Sequence, residues 1–364
     1  MIEKGKISVR QFTVLIIMFS IGSTILIVPS VLASGAKQDT WIAACIGLLG
    51  GLLLVLLYNR ISSLFPNTSF VHYTQLVLGN WLGGFVSFLY FNYFLLLSAF
   101  VLRNIGEFLT TEVLPRTPIH VIHILFLVVI IMGIRNGIEV ITRSAEIFLP
   151  WAFFFFIMMV IFLPPQFDWG YIKPILGYGI KPVIRGSMSS LSIPYFELFV
   201  FLLIFPLVSH HQKARKAFLV GVTISGMMLI IMSSLSILVL GADFTSKLLY
   251  PSFELAQKIS IGHFVERLEI IAAGMWLITI YFKLALCFYA TTMTFSELFR
   301  LKDARQLYYP FGMIIIVLSV IVFPNTTDFL IFTSRIDFFY SITFALFLPL
   351  LILIVAMIRK SKTQ

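Results

Sequence analysis

Apolar residues run through this chain in stretches of about twenty, each closed by a short polar or basic segment, which is the pattern of helices that cross a bilayer. Ten such spans are predicted, at roughly 12–33, 41–63, 81–111, 118–134, 143–163, 187–207, 217–241, 264–298, 308–323 and 336–358. The longest segment between them, 164–186, holds only about 23 residues, too few for a soluble domain. Residues 1–364 therefore read as a single transmembrane domain. Two spans are interrupted at their centres, the first at Gly22-Ser23-Thr24 and the sixth at Ser192-Ile193-Pro194. Ten spans divide as five plus five, and an odd number per half turns the second half (187–358) upside down relative to the first (12–163). Spans one and six are then equivalents, broken at matching depths.

A broken helix in a bilayer leaves backbone N–H and C=O groups without partners, which is tolerable only where they line a cavity. Inverted-repeat membrane folds use such breaks to bind substrates near the midplane. The plain alternative is a pair of ordinary kinks, because Gly and Pro are frequent in membrane helices. Locally the chemistry favours unwinding. Gly22 frees the backbone from helical dihedrals, Ser23 and Thr24 supply hydroxyls for freed carbonyls, and Pro194 removes a donor while disfavouring helix at Ile193. The N-terminus of the half-helix beyond each break suits a carboxylate.

Composition removes other classes. With a mean hydropathy of +1.01, 59% hydrophobic residues and 12% charged residues, the chain exceeds what a soluble core requires. Its 38 Phe suit a lipid-facing surface. The net charge of +10 is spread between spans rather than gathered in a patch, so nucleic acid is not a partner. If the N-terminus is cytoplasmic, fifteen Lys and Arg fall inside, among them Lys4, Arg135, Lys213 and Arg300, against eight outside, among them Lys37, Arg116 and Lys173. That bias sets both termini in the cytoplasm. The first 33 residues imitate a signal peptide, but the apolar run is too long for one. Cys45 and Cys287 both lie within spans, so no disulfide framework is implied. The external segment with Trp169, Tyr171 and Tyr178, and an interfacial segment from Tyr250 to His263, are expected above the mouth of the cavity.

Few side chains carry chemistry. Glu197 follows Pro194 by three residues and can either cap the second half-helix or serve as an amine or proton site. Lys283 is isolated deep in span eight, where an ammonium costs roughly 2.5–3.5 kcal/mol on insertion scales and demands a partner. It can pair with Glu197 or Glu107, stand in for a bound cation, or contact a ligand carboxylate. Arg103 and Glu107 are spaced i, i+4 on span three, with a structural or gating role, and Tyr93 and Leu97 lie on the same broad face. Glu266 and Arg267 crowd the outer end of span eight. His120 with His123, and His210 with His211, lack carboxylate or Cys partners at ligand spacing, so no metal is expected. No nucleophile–base pair or phosphate loop occurs, so neither enzyme activity nor a cofactor is implied.

Together these features resemble the B subunits of bacterial spore germinant receptors, a branch of the amino acid, polyamine and organocation transporter superfamily. The resemblance rests on Gly22-Ser23-Thr24 with Pro29, Arg103-x3-Glu107, Arg116-Thr117-Pro118-Ile119, Lys173-Pro174-Ile175-Leu176-Gly177, the Ser-rich break before Glu197, and Glu266-Arg267-x-Glu269 with Trp276. It implies a LeuT-type fold with discontinuous helices one and six in the inner spore membrane. It also implies recognition of a small nutrient, usually an amino acid, and action together with an A-type membrane subunit and a C-type lipoprotein. The family's cavity would fall on Gly22, on Tyr93 and Leu97, on Ile193, Pro194 and Tyr195, and on Lys283 and Cys287, to which the reading of the breaks adds Ser23, Thr24, Ser192 and Glu197 as ligand-binding candidates. At Lys283 the chain departs from the family's pattern, which has a small hydroxyl residue there. A proton-coupled amino acid transporter is the main alternative, and a purely structural subunit a third.

Overall fold

The computed structural model describes residues 5–259, 268–322, 332 and 336–362. Helix occupies each predicted apolar stretch within those residues. Among the described residues, eight helical stretches are long and apolar enough to cross a membrane, and two apolar helices, Val9–Ile21 and Ile119–Arg135, are shorter. The chain is an all-helical, multi-span membrane protein.

The first segment is two helices, α1 (Val9–Ile21) and α2 (Thr24–Ala36). Ser8 starts α1 with a capping box, its Oγ accepting from the Gln11 N–H at 3.1 Å while Gln11 Oε1 accepts from the Ser8 N–H at 2.9 Å. A turn at Lys37 leads into α3 (Thr40–Leu64). A short α4 (Phe70–Leu78) precedes the long α5 (Asn80–Phe108), then α6 (Ile119–Arg135) and α7 (Ile138–Phe162) follow. Gly79 and Gly137, at φ 89° and 88°, make the sharp turns into α5 and α7, a conformation that a side chain resists.

The sixth segment begins as α8 (Ile180–Ser190), loosens through a π-helical turn at Leu191–Tyr195 and tightens into a 3₁₀ turn at Phe196–Val200 before α9 (Phe201–Ile204). After it come α10 (His211–Leu240), α11 (Ala242–Lys247) and α12 (Pro251–Lys258). The remaining helices are α13 (Leu268–Leu298), α14 (Tyr308–Ile321), α15 (Asp337–Ile342) and α16 (Leu348–Lys362).

Helix α1 is central, packed on α10, α7 and α13, while α5 lies along α13. The two interrupted segments hold each other at both ends. At one end α2 meets α8, and a Cβ added to Gly35 would lie 2.8 Å from Gly186 Cα, the close approach that small residues permit between membrane helices. At the other end Ile7 donates to Leu207 O and accepts from the Ser209 N–H, both at 3.0 Å.

The Phe-rich composition serves both the outer surface, where Phe85, Phe154, Phe299, Phe339 and Phe347 are exposed, and the interior. Phe12 packs edge-on against Phe201, Phe205 and Phe218 at 5.7–5.8 Å between ring centroids, and Phe19, Phe94, Phe108 and Phe199 are fully buried. Edge-to-face aromatic pairs contribute about 0.5–1.5 kcal/mol each beyond area burial, a helix-to-helix attraction available even where lipid tails compete with apolar contacts. Leu53, Trp81, Met132, Ile147 and Met313 face outward with the exposed Phe residues. The expected interfacial segment also turns inward as far as it is described, with Phe253 and Leu255 of α12 buried and the Ser252 hydroxyl donating to Ile25 O at 2.5 Å. Its last residues, 260–263, lie outside the described residues.

Candidate functional site

Both predicted interruptions are present. α1 stops at Ile21, Gly22 takes φ −16° and ψ −94°, and α2 resumes at Thr24. In the sixth segment Ile193 is extended, at φ −124° and ψ 117°, next to Pro194.

Lys283 joins the two. Leaving α13 fully buried, its stem lies on Gly22 so closely that an added Cβ there would sit 3.0 Å from Lys283 Cβ and Cδ. Its Nζ donates to Ser23 Oγ at 2.6 Å and lies 2.5 Å from Glu197 Oε2, with the Phe19 ring centroid 5.6 Å away. Glu197, in the 3₁₀ turn after the second break, is therefore engaged by Lys283 rather than serving as a helix cap. Burial of both charges is tolerable because each has a partner; removing one alone from such a pair typically costs 3–5 kcal/mol.

A second polar chain runs beside the first. The Ser192 hydroxyl donates to Asp337 Oδ2, the Ser341 hydroxyl donates to Asp337 Oδ1 at 3.0 Å, and Tyr93 OH meets Ser341 Oγ at 3.1 Å. Between the chains is a cavity of about 30 Å³ bordered by Ser23, Leu97, Phe100, Val101, Asn104, Ile193, Glu197, Phe332 and Asp337. One water needs about 10–15 Å³ of such space, so in this conformation the cavity has room for about two.

Ser23, Leu97, Ile193 and Glu197 thus meet at the cavity. Gly22, Ser192 and Lys283 stand directly behind it, and Tyr93 connects through Ser341. Pro194 is buried at the bend, Cys287 is buried one helical turn beyond Lys283, and the buried Thr24 Oγ1 has no hydrogen-bond partner. Tyr195 departs from the group expected at the cavity: it packs against α3, where a Cβ added to Gly51 would fall 2.3 Å from its ring, and its hydroxyl faces Gly226. The extended Ile193 rotates the following side chains, which is why neighbours in sequence point to different sides.

Arg103 and Glu107 pair at 2.9 Å, and Arg103 also donates to Ser319 O at 3.5 Å on α14. Ser319 Oγ meets His123 Nδ1 at 2.9 Å, so this buried group ties α5, α6 and α14 one turn from Asn104. Glu266 and Arg267 lie outside the described residues. Asp337 and Ser341 are the cavity-side polar residues that sequence reading missed. The available signal was a lone acid at the start of the last apolar span, with Ser341 at i+4, but Arg335 nearby makes that end resemble an ordinary water-facing rim.

A family model described as spore germination protein matches residues 6–328. Spore germination protein KB of Bacillus subtilis (strain 168) is 34% identical, the match covering 100% of this chain and 97% of that protein. Spore germination protein GerLB of Bacillus cereus is 27% identical over 89% of this chain and 86% of its own. Among solved structures, Mhp1, a nucleobase-cation-symport-1 family transporter in a closed conformation with bromovinylhydantoin bound, superposes with a TM-score of 0.69 at 11% identity. That match covers 91% of this chain and 75% of Mhp1. A Na+-coupled sialic acid symporter gives 0.70 at 11% identity, over 94% and 78%. At that identity the likeness establishes the fold alone, which is LeuT-like. The chain belongs to the spore germination protein family, as a protein of the B-subunit type.

Proposed function

We propose that the protein is the nutrient-sensing subunit of a spore germinant receptor, holding a small nutrient, most simply an amino acid, between its two broken helices. The observation that carries this reading is Lys283, whose one ammonium touches Ser23 in the first break and Glu197 beside the second. A buried fixed charge joining both interruptions next to a cavity is the arrangement by which occupancy is felt by two mobile elements at once. In this reading the helices form ten spans as two inverted five-helix repeats, 12–163 and 187–358, with spans one and six discontinuous. Lys283 supplies permanently the charge that a bound cation supplies in ion-coupled transporters.

The ligand favours one arrangement of the broken helices over another, and only its differential affinity moves that equilibrium. Reversing a 1:99 population takes about 5.5 kcal/mol. The event passes to an A-type membrane subunit and a C-type lipoprotein in the inner spore membrane, with both termini of this chain in the cytoplasm. Spores carrying Lys283→Ala or Lys283→Arg test the reading. The germinant dose response is expected to shift at least tenfold in both, and an unchanged response in both overturns it.

A second reading, proton-coupled amino acid transport, draws on the three ionisable groups Glu197, Asp337 and Lys283 in one neighbourhood. Concentrative, pH-gradient-driven uptake of a radiolabelled amino acid by the protein alone in proteoliposomes would favour it over sensing.

A further inference from the structure

The charges around the cavity do not cancel. Lys283 and Glu197 face each other at 2.5 Å, and Lys283, fully buried, is not among the residues that border the space. Asp337 does border it, and among the described residues it has no cationic partner within ion-pair distance; its oxygens are held by two neutral hydroxyls, those of Ser192 and Ser341. Among the described residues, the site carries one carboxylate more than it has cations.

Asn104 adds an independent observation. It borders the same space, is only 8% exposed, and its side chain makes no hydrogen bond among the described residues. Its amide therefore has hydrogen-bonding capacity available to a molecule in that space. The rest of the wall is mainly apolar, from Leu97, Phe100, Val101, Ile193 and Phe332. An ammonium offers three donors and no acceptor, so it can bond the Asp337 carboxylate and the Asn104 carbonyl oxygen together while balancing the surplus charge.

We infer that Asp337, rather than Lys283, is the residue that recognises the ammonium group of the amino acid proposed above. The inference rests on the ligand-sensing reading above. It reverses the expectation that Lys283 meets a ligand carboxylate, because Glu197 already neutralises that lysine.

The test uses the full chain in lipid nanodiscs and measures binding by thermal shift and by calorimetry. Glycine, L-alanine and L-valine are each compared with the hydroxy acid in which a hydroxyl replaces the amine: glycolate, L-lactate and 2-hydroxyisovalerate. KCl and NaCl form a separate arm. At least one amino acid is expected to bind at least tenfold tighter than its hydroxy analogue, with Asp337→Asn abolishing that preference and Asp337→Glu retaining part of it. Equal binding of amine and hydroxy compounds, or an amine preference that survives in a folded Asp337→Asn protein, overturns the inference while leaving ligand sensing intact. Binding of K+ or Na+ alone, lost in Asp337→Asn, overturns it in favour of an inorganic cation. If no compound or ion binds the wild-type protein, the inference and the sensing reading fall together. Should Asp337→Asn not fold, Asn104→Leu replaces it and is expected to weaken amino acid binding without weakening the hydroxy acids equally.

Discussion

Lys283 has no contact with water, so its charge persists only while Glu197 and Ser23 face it. Lys283→Met is expected to lower stability by about 3–5 kcal/mol, because it leaves Glu197 as an uncompensated buried charge. The double variant Lys283→Met with Glu197→Leu should recover most of that loss, since an apolar pair avoids desolvating charge. Thermal unfolding in detergent, followed by size-exclusion chromatography, measures both, and a single variant as stable as wild type would refute the assignment. A different residue-scale test lies behind the second break. Gly51→Ala places a methyl 2.3 Å from the Tyr195 ring and should cost about 1–3 kcal/mol through overpacking. Gly84→Ala is the control: the nearest atom to its new methyl is Leu298 Cδ1, 4.0 Å away, and the helix should gain up to about 1 kcal/mol.

The interrupted segments act as a unit because they are fastened to each other at both ends, through Gly35 against Gly186 and through Ile7 against Leu207 and Ser209. At the first contact the clash from an added methyl is with backbone, which cannot rotate away. Gly35→Ala is therefore expected to part α2 from α8, lower stability by about 1–3 kcal/mol and shift the germinant dose response; Ser34→Ala, one position away on an exposed face, should do neither. Parallel thermal-unfolding and germination assays read the two effects, and indistinguishable behaviour of the two variants would argue against a coupled pair. At this scale much was legible in the chain itself. Gly22 and Pro194 interrupt helices by their own backbone chemistry, and Arg103 with Glu107 pair by helical spacing alone. The direction in which Tyr195 points was not legible, because the extended Ile193 resets the periodicity that would have predicted it.

For the molecule as a whole, the bias of Lys and Arg toward one set of loops predicts that Ser209 and Asn136 face the cytoplasm and that Gly179 faces the opposite side. In a background with Cys45→Ala, single cysteines at those positions, treated with a membrane-impermeant maleimide on intact cells, should label only at 179. Labelling of 136 or 209 instead would invert the topology. The multi-span helical character, the two breaks and the presence of a costly lysine all follow from the order of residues, since hydrophobic length and local backbone chemistry are properties of short segments. Tertiary structure alone decided which acid faces Lys283, that Phe12 meets Phe201, Phe205 and Phe218 edge-on, and that Asp337, more than fifty residues beyond Lys283 in the chain, borders the same cavity. Those outcomes depend on distances between segments remote in sequence, and a charge acquires its meaning in a membrane interior from the partner that packing brings to it.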